Sequence, residues 1–101
     1  MVSEHYAKVG ASLLYAWTRT HRSSLPRVAT IMDDDTWRHT DQNTAYNTAA
    51  SFLAYLHQTY GYERIRQIYG ARDLPVATAQ VFGKPVEALE EEWLRFCDQQ
   101  P

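Results

Sequence analysis

At 101 residues the chain 1-101 is the size of one domain, and a chain of that length buries roughly 60 to 65% of its unfolded surface, enough for one core. It is 45% hydrophobic and 13% aromatic with a formal net charge of -2, which argues against disorder and against nucleic acid as a partner, because no basic stripe is available to neutralise phosphates. The single cysteine, Cys97, rules out an internal disulfide and a cysteine-based zinc cluster; no apolar run approaches the roughly 20 residues that span a bilayer, and the opening MVSEHYAKVG lacks the basic start and apolar middle of a signal peptide.

From Ser3, a candidate N-cap, to about Thr18, the residues Tyr6, Val9 or Gly10, Leu13 and Trp17 recur at the spacing of an amphipathic helix. Only Met1 and Val2 precede it, as if the chain began inside a longer protein. A polar connection follows, with a short helix expected at about Pro26 to Met32, because Ser24 or Leu25 precedes a proline suited to a first turn. Asp35 is expected to cap the turn that continues into Thr36 and Trp37.

The next helix is expected over Gln42 to Tyr60, with Ala45, Ala49, Phe52, Leu53, Leu56 and Tyr60 on one face and Gly61 ending it. Tyr62 to Tyr69 continues as a shorter helix, apolar at Ile65, Ile68 and Tyr69. Asp73 caps a segment whose Leu74, Ala77, Val81 and Phe82 face inward before Gly83 stops it. A last helix runs from Pro85 to about Asp98, burying Leu89, Trp93 and Phe96 and turning Glu90, Glu91 and Glu92 toward solvent, with Arg95 supporting Glu91. No stretch reads as a strand, so the expected architecture is all-α, a compact bundle of about five or six helices.

Candidate chemistry is sparse. His5, His21, His39 and His57 never stand three or four residues apart, so no helix offers two imidazoles to one metal and the H-E-x-x-H arrangement is absent. Solvated or singly hydrogen-bonded histidines are the plainer expectation. The run Asp33 to Asp35 lacks the glycine and the terminal glutamate of a calcium loop, and no glycine-rich phosphate loop occurs. Ser12, Ser23, Ser24 and Ser51 stand in no G-x-S-x-G turn, and Cys97 beside Phe96 reads as a buried, inert thiol.

Taken in order, VSEHYA, AYNTAASFLAYLHQTYG and AQVFGKPVEALEEEWLRF resemble the second half of the gluzincin zinc metallopeptidases, in particular their short peptidase MA-like bacterial forms. In that family a W-x-x-E-G-x-A helix follows the H-E-x-x-H helix. A Y-x-x-x-x-x-F-x-x-Y-L helix ending in Y-G comes next, and A-x-x-x-x-F-G-x-x-x-x-x-L-E-x-x-W closes the domain. The resemblance implies that Glu4 falls where the family places its third zinc ligand, although His5 replaces the usual glycine and the preceding tryptophan is missing. The plainer role for Glu4 is a first-turn acid favourable to the helix dipole and paired with Lys8.

The resemblance likewise implies that Tyr46 stands where related aminopeptidases present a phenol to the developing oxyanion, a kind of stabilisation worth roughly 3 to 4 kcal/mol. Packing, or a surface hydroxyl, is the alternative for Tyr46. His57 lies roughly 16 Å further along the same helix and cannot share a substrate atom with it. The family's two histidine ligands and its general-base glutamate have no counterpart in this sequence, so zinc and a peptide substrate belong to the complete family domain, and no cofactor and no activity are expected of this chain alone. From a different class comes a free-standing helical interaction or dimerisation module. In either case the first helix is expected to expose Tyr, Leu or Trp on a face that a further segment, a second copy or a partner chain would cover.

Overall fold

The computed structural model describes residues 4–100, with side chains described from residue 10 onward. In chain order the elements are α1 (Glu4–Thr20), a 3-10 turn (Arg22–Ser24), α2 (Val28–Ile31), α3 (Asp34–His39), α4 (Gln42–Tyr60), α5 (Tyr62–Ile68), α6 (Leu74–Phe82) and α7 (Val86–Asp98). There is no strand among the described residues. The all-α expectation holds, and the added short helix is α3, which the sequence suggested only as a capped turn.

Aspartates start three of these helices. Asp33, Asp41 and Asp73 each accept the backbone N–H three residues on, from Thr36, Thr44 and Val76. Such a cap typically contributes about 1 kcal/mol. At α3 the cap is Asp33 rather than the expected Asp35: Asp33 has the extended backbone a cap needs, while Asp35 already lies in the first helical turn. The Thr36 and Thr44 hydroxyls donate to the same carboxylates, at 3.1 and 3.0 Å, and this doubled contact is written in the sequence as D-x-x-T. At the other ends Gly61 and Gly83 take positive φ, 94° and 73°, a backbone that side chains with a Cβ rarely adopt. The α2 helix begins two residues later than the Pro26 start expected, with Arg27 at its N-cap.

The core gathers around α4 and α7. Phe52 and Leu56 from one meet Leu89, Trp93 and Cys97 from the other, and Tyr15 of α1 and Phe82 of α6 close the sides. Phe52 and Trp93 meet edge to face with ring centroids 5.5 Å apart. The core's center is not wholly apolar. Trp93 donates its indole N–H to Ser51 Oγ at 2.9 Å, and the Ser51 and Thr18 hydroxyls lie 2.6 Å apart. Thr18 in turn donates to the Leu14 carbonyl at 2.8 Å. One consistent set of donors therefore runs from Trp93 to Ser51 to Thr18 to Leu14, leaving no member unpaired.

That chain of hydroxyls sets the buried face of α1, which its apolar spacing does not mark. Tyr15 and Thr18 are the buried residues described there, whereas Gly10 is exposed and Leu13 is 69% exposed. A threonine can occupy the core because its hydroxyl is satisfied, and Tyr15 can because its phenol donates to Gln58 at 3.1 Å. The expected stripe of Leu13 and Trp17 therefore turns outward, Trp17 half-buried with its ring stacked on His21. Tyr6 and Val9 of that stripe and the N-cap candidate Ser3 lie outside the residues whose side chains are described.

The acidic run of α7 is corrected as well, since two of its three members turn inward. Glu90 is buried and accepts the Val28 N–H at 2.7 Å, so an α7 side chain caps the start of α2. Glu92, half-buried, accepts from Tyr55 at 3.1 Å and Tyr60 at 2.6 Å and is paired with Lys84 at 2.5 Å. Only Glu91 is exposed as expected. Leu53 and Tyr69, expected in the core, are 37% and 73% exposed.

Candidate functional site

The only buried thiol, Cys97, is packed at the core's center with its sulfur 4.0 Å from Ser51 Oγ. Burial pushes the Cys97 thiol up from its ordinary value, which suits an inert packing residue and not a nucleophile. Ser51 is fully buried beneath Trp93 and offers no attacking oxygen to solvent.

The three described histidines, His21, His39 and His57, are dispersed as their spacing implied. Nδ1 of His21 lies 2.9 Å from the Trp17 carbonyl, Nδ1 of His39 lies 2.7 Å from the Asp35 carbonyl, and His57 rests against the Tyr62 ring. No three of His, Cys, Asp and Glu come together as a metal-holding group among the described residues. The described donors therefore do not fit zinc by themselves. Glu4 opens α1, but its side chain lies outside the described part, as does that of His5.

Tyr46 stands in the second turn of α4 and is 62% exposed, so it is not a core residue. Its ring packs edge to face on Trp37 of α3, with centroids 5.2 Å apart. Asp41, capping α4, and Asp33, capping α3, hold the two helices that carry this aromatic pair. Each cap's carboxyl is held below the ordinary carboxylate range, first by the backbone N–H it accepts and then by the threonine hydroxyl.

The Trp37 side of that pair also lines a cavity of about 270 Å³ between α2, α3, α4, α5 and α6. Val28, Ile31, Phe52 and Ile68 form its buried apolar walls. Leu53 and Asp34, both exposed, stand where it reaches the surface. Asp34 is the one charged residue of the lining. The three consecutive aspartates thus divide their work. Asp33 caps α3, Asp35 faces His39 at 3.6 Å, and Asp34 has no hydrogen bond or ion pair of its side chain among the described residues.

Sequence reasoning missed Trp37 and Asp34 as members of a site. The signal was present in DDDTW, where a D-x-x-T cap fixes the first aspartate and leaves the second beside an aromatic one turn later. It failed to stand out because α3 is only 6 residues long, too short for periodicity to announce it.

A second polar cluster ties α4 to α7. Burial works against the charge of Glu92, but hydrogen bonds from Lys84, Tyr60 and Tyr55 outweigh it and hold the carboxyl below its ordinary range. Glu92 in turn holds the Lys84 ammonium well above its usual value, with Tyr60 adding to the effect. Burial, then the Glu92 contact, raises the Tyr55 phenol. Every group here is engaged by another, so the cluster works as a clamp between helices.

Compared with protein-family models, with curated proteins and with solved structures, the chain matches none.

Proposed function

We propose that this chain is the helical C-terminal portion of a gluzincin-like zinc metallopeptidase domain and is not catalytic by itself. The observation that supports this reading is Tyr46. It is presented to solvent near the head of the longest helix, with its ring braced by Trp37, as a group that offers a hydroxyl outward would be. In the complete domain, Tyr46 would donate to the oxyanion and Glu4 would be the third zinc ligand; the histidine pair and the general base would come from an H-E-x-x-H segment, which these 101 residues do not contain.

Zinc binding tests it. The purified chain and its Glu4→Ala variant are expected to bind zinc equally weakly, because a lone carboxylate is no site. The same chain extended by the segment its gene encodes upstream is expected to hold one zinc, released by Glu4→Ala. An upstream segment without H-E-x-x-H, or tight zinc binding by the extended chain that ignores Glu4→Ala, would sink the proposal.

A second reading is a dimerisation module, and Leu13 favours it. That leucine is 69% exposed on α1, with the half-buried Trp17 one turn on, so the helix presents an apolar stripe on the side away from its own core. In this reading a second copy covers the stripe; in the first, the upstream helix does. Sedimentation velocity separates them. A dimer that Leu13→Glu converts to monomer supports the module, and a monomer that dimerises with neither form leaves the peptidase-domain reading as the better one.

A further inference from the structure

We propose that the cavity beside Trp37 is a binding site for a small organic cation, an apolar ring carrying a protonated amine. The proposal is independent of the peptidase-like reading, since it uses neither Glu4 nor the Tyr46 hydroxyl.

Size comes first. The cavity measures about 270 Å³. An apolar cavity of about 150 Å³ holds one benzene, and pockets for drug-sized molecules begin near 300 Å³. By that proportion the space suits roughly ten non-hydrogen atoms, one ring with a short tail. Its walls, Val28, Ile31, Phe52 and Ile68, are buried aliphatic and aromatic side chains that give such a ring dispersion contacts and no polar competitor.

Charge sets the sign. Asp34 stands on the lining with a carboxylate engaged by no other described group, and Asp33 and Asp35 flank it. Arg38, one turn along α3, makes no ion pair with Asp34, and Arg27 at the start of α2 is turned to Glu90 at 3.5 Å. Trp37, on the same lining, adds an indole ring, the best aromatic partner for a cation. An anion would meet the Asp34 carboxylate there, and a neutral molecule would leave Asp34 without a partner.

The geometry also explains why α3 holds its position. Asp33 pins its start, Thr40 closes its end on the Trp37 carbonyl, and the Trp37 ring is wedged against Tyr46, so the backbone that carries Asp34 and the indole are held before a ligand arrives. Preorganisation of that kind reduces what binding must spend on ordering side chains.

Three probes of one shape test the idea: 2-phenylethylamine, protonated at pH 7; 2-phenylethanol, neutral; and 3-phenylpropanoate, anionic. Titration of each into ¹⁵N-labelled chain, followed by the indole N–H of Trp37 and the amides of α2 and α3, gives affinity and location together. The amine is expected to bind about five- to tenfold more tightly than the alcohol, the combined scale of an exposed ion pair and a cation–π contact. The acid is expected to bind more weakly than the alcohol. Asp34→Asn should cut the amine's advantage to the share the indole supplies, about two- to fivefold, without moving the alcohol, and Ala49→Leu, which fills the cavity from α4, should weaken all three. Equal affinities for amine, alcohol and acid, an amine preference that Asp34→Asn leaves undiminished, shifts centered away from Trp37, or no binding by any probe would each overturn the proposal.

Discussion

The two sides of α4 are built differently. Toward α1 and α7 every buried polar group has a partner: Trp93 to Ser51, Ser51 to Thr18, Thr18 to the Leu14 carbonyl. Toward α2, α3 and α6 the packing leaves a cavity of about 270 Å³ with an unengaged carboxylate, Asp34, on its lining. On α6, one turn beyond the lining residue Leu74, the fully buried Thr78 has a hydroxyl with no hydrogen-bond partner. A side in which space and polarity are both accounted for specifies the fold. A side that leaves them open is where binding can be accommodated, because filling it costs no existing contact.

The closed side should be the harder to wound. Trp93→Ala removes a fully buried indole that packs on Phe52 and strips Ser51 of its donor, and it should destabilise the chain by about 3 to 5 kcal/mol in urea unfolding. A loss below about 1 kcal/mol would mean that the core collapses around the gap and that the α4–α7 contact is not the center of stability. Glu90→Ala comes next, at about 1.5 to 3 kcal/mol, since it removes a charged acceptor and orphans the buried Val28 N–H. Glu90→Gln keeps an acceptor at that place and should recover part of the loss. Equal effects from the two would show that the side chain's packing matters and its hydrogen bond does not.

Much of this was legible in the sequence, and what was not has a physical cause. Helices α4, α6 and α7 could be read because their apolar spacing and their aspartate or proline starts agree, and a glycine follows α4 and α6. The buried face of α1 could not, because its apolar spacing runs through Leu13, which is exposed, and passes over Thr18, which is buried with its hydroxyl against a residue 33 positions away. Glu90 and Glu92 were misplaced for the same reason, since their partners Val28, Tyr55 and Tyr60 are visible only once α7 lies against α2 and α4. Tyr46 could be placed near the start of α4 from the sequence, and its exposure there fits a plain surface hydroxyl as well as the candidate role, whereas its companion Trp37 needed the helix α3 that no pattern announced.

The open side should tolerate repair. Thr78→Val replaces an unpartnered buried hydroxyl with a methyl group of nearly the same shape, so it should stabilise the chain by about 1 kcal/mol. The matching change on the closed side, Ser51→Ala, leaves the Trp93 N–H without its acceptor and should cost about 1 to 3 kcal/mol. Opposite signs for two hydroxyl deletions on either side of one domain would sharpen the contrast. The same sign for both would mean that Thr78 finds a partner in solution, and that the open side is better satisfied than it looks.

The smallest effect is the one that pH should reveal. Glu92 has a carboxyl held below its ordinary value of 4.5, so its clamp contributes stability above that value and loses it as pH falls through the lower folded value. The sign follows from proton binding: below 4.5 the unfolded chain takes up a proton on Glu92 that the folded chain resists, and folding weakens. Asp33 and Asp41, also lowered by their caps, weaken in the same acid range, so the whole-chain curve alone cannot isolate Glu92. The difference between wild type and Glu92→Gln can, because the two caps cancel in it. That difference should be constant from pH 7 down to about 5 and shrink below it. Because Lys84 is nearly half exposed, salt should screen part of the clamp, and the difference at pH 7 should fall in concentrated sodium chloride. A difference flat from pH 7 to 3 would show that the Glu92 charge contributes nothing and that Tyr55 and Tyr60 hold α4 to α7 by packing alone.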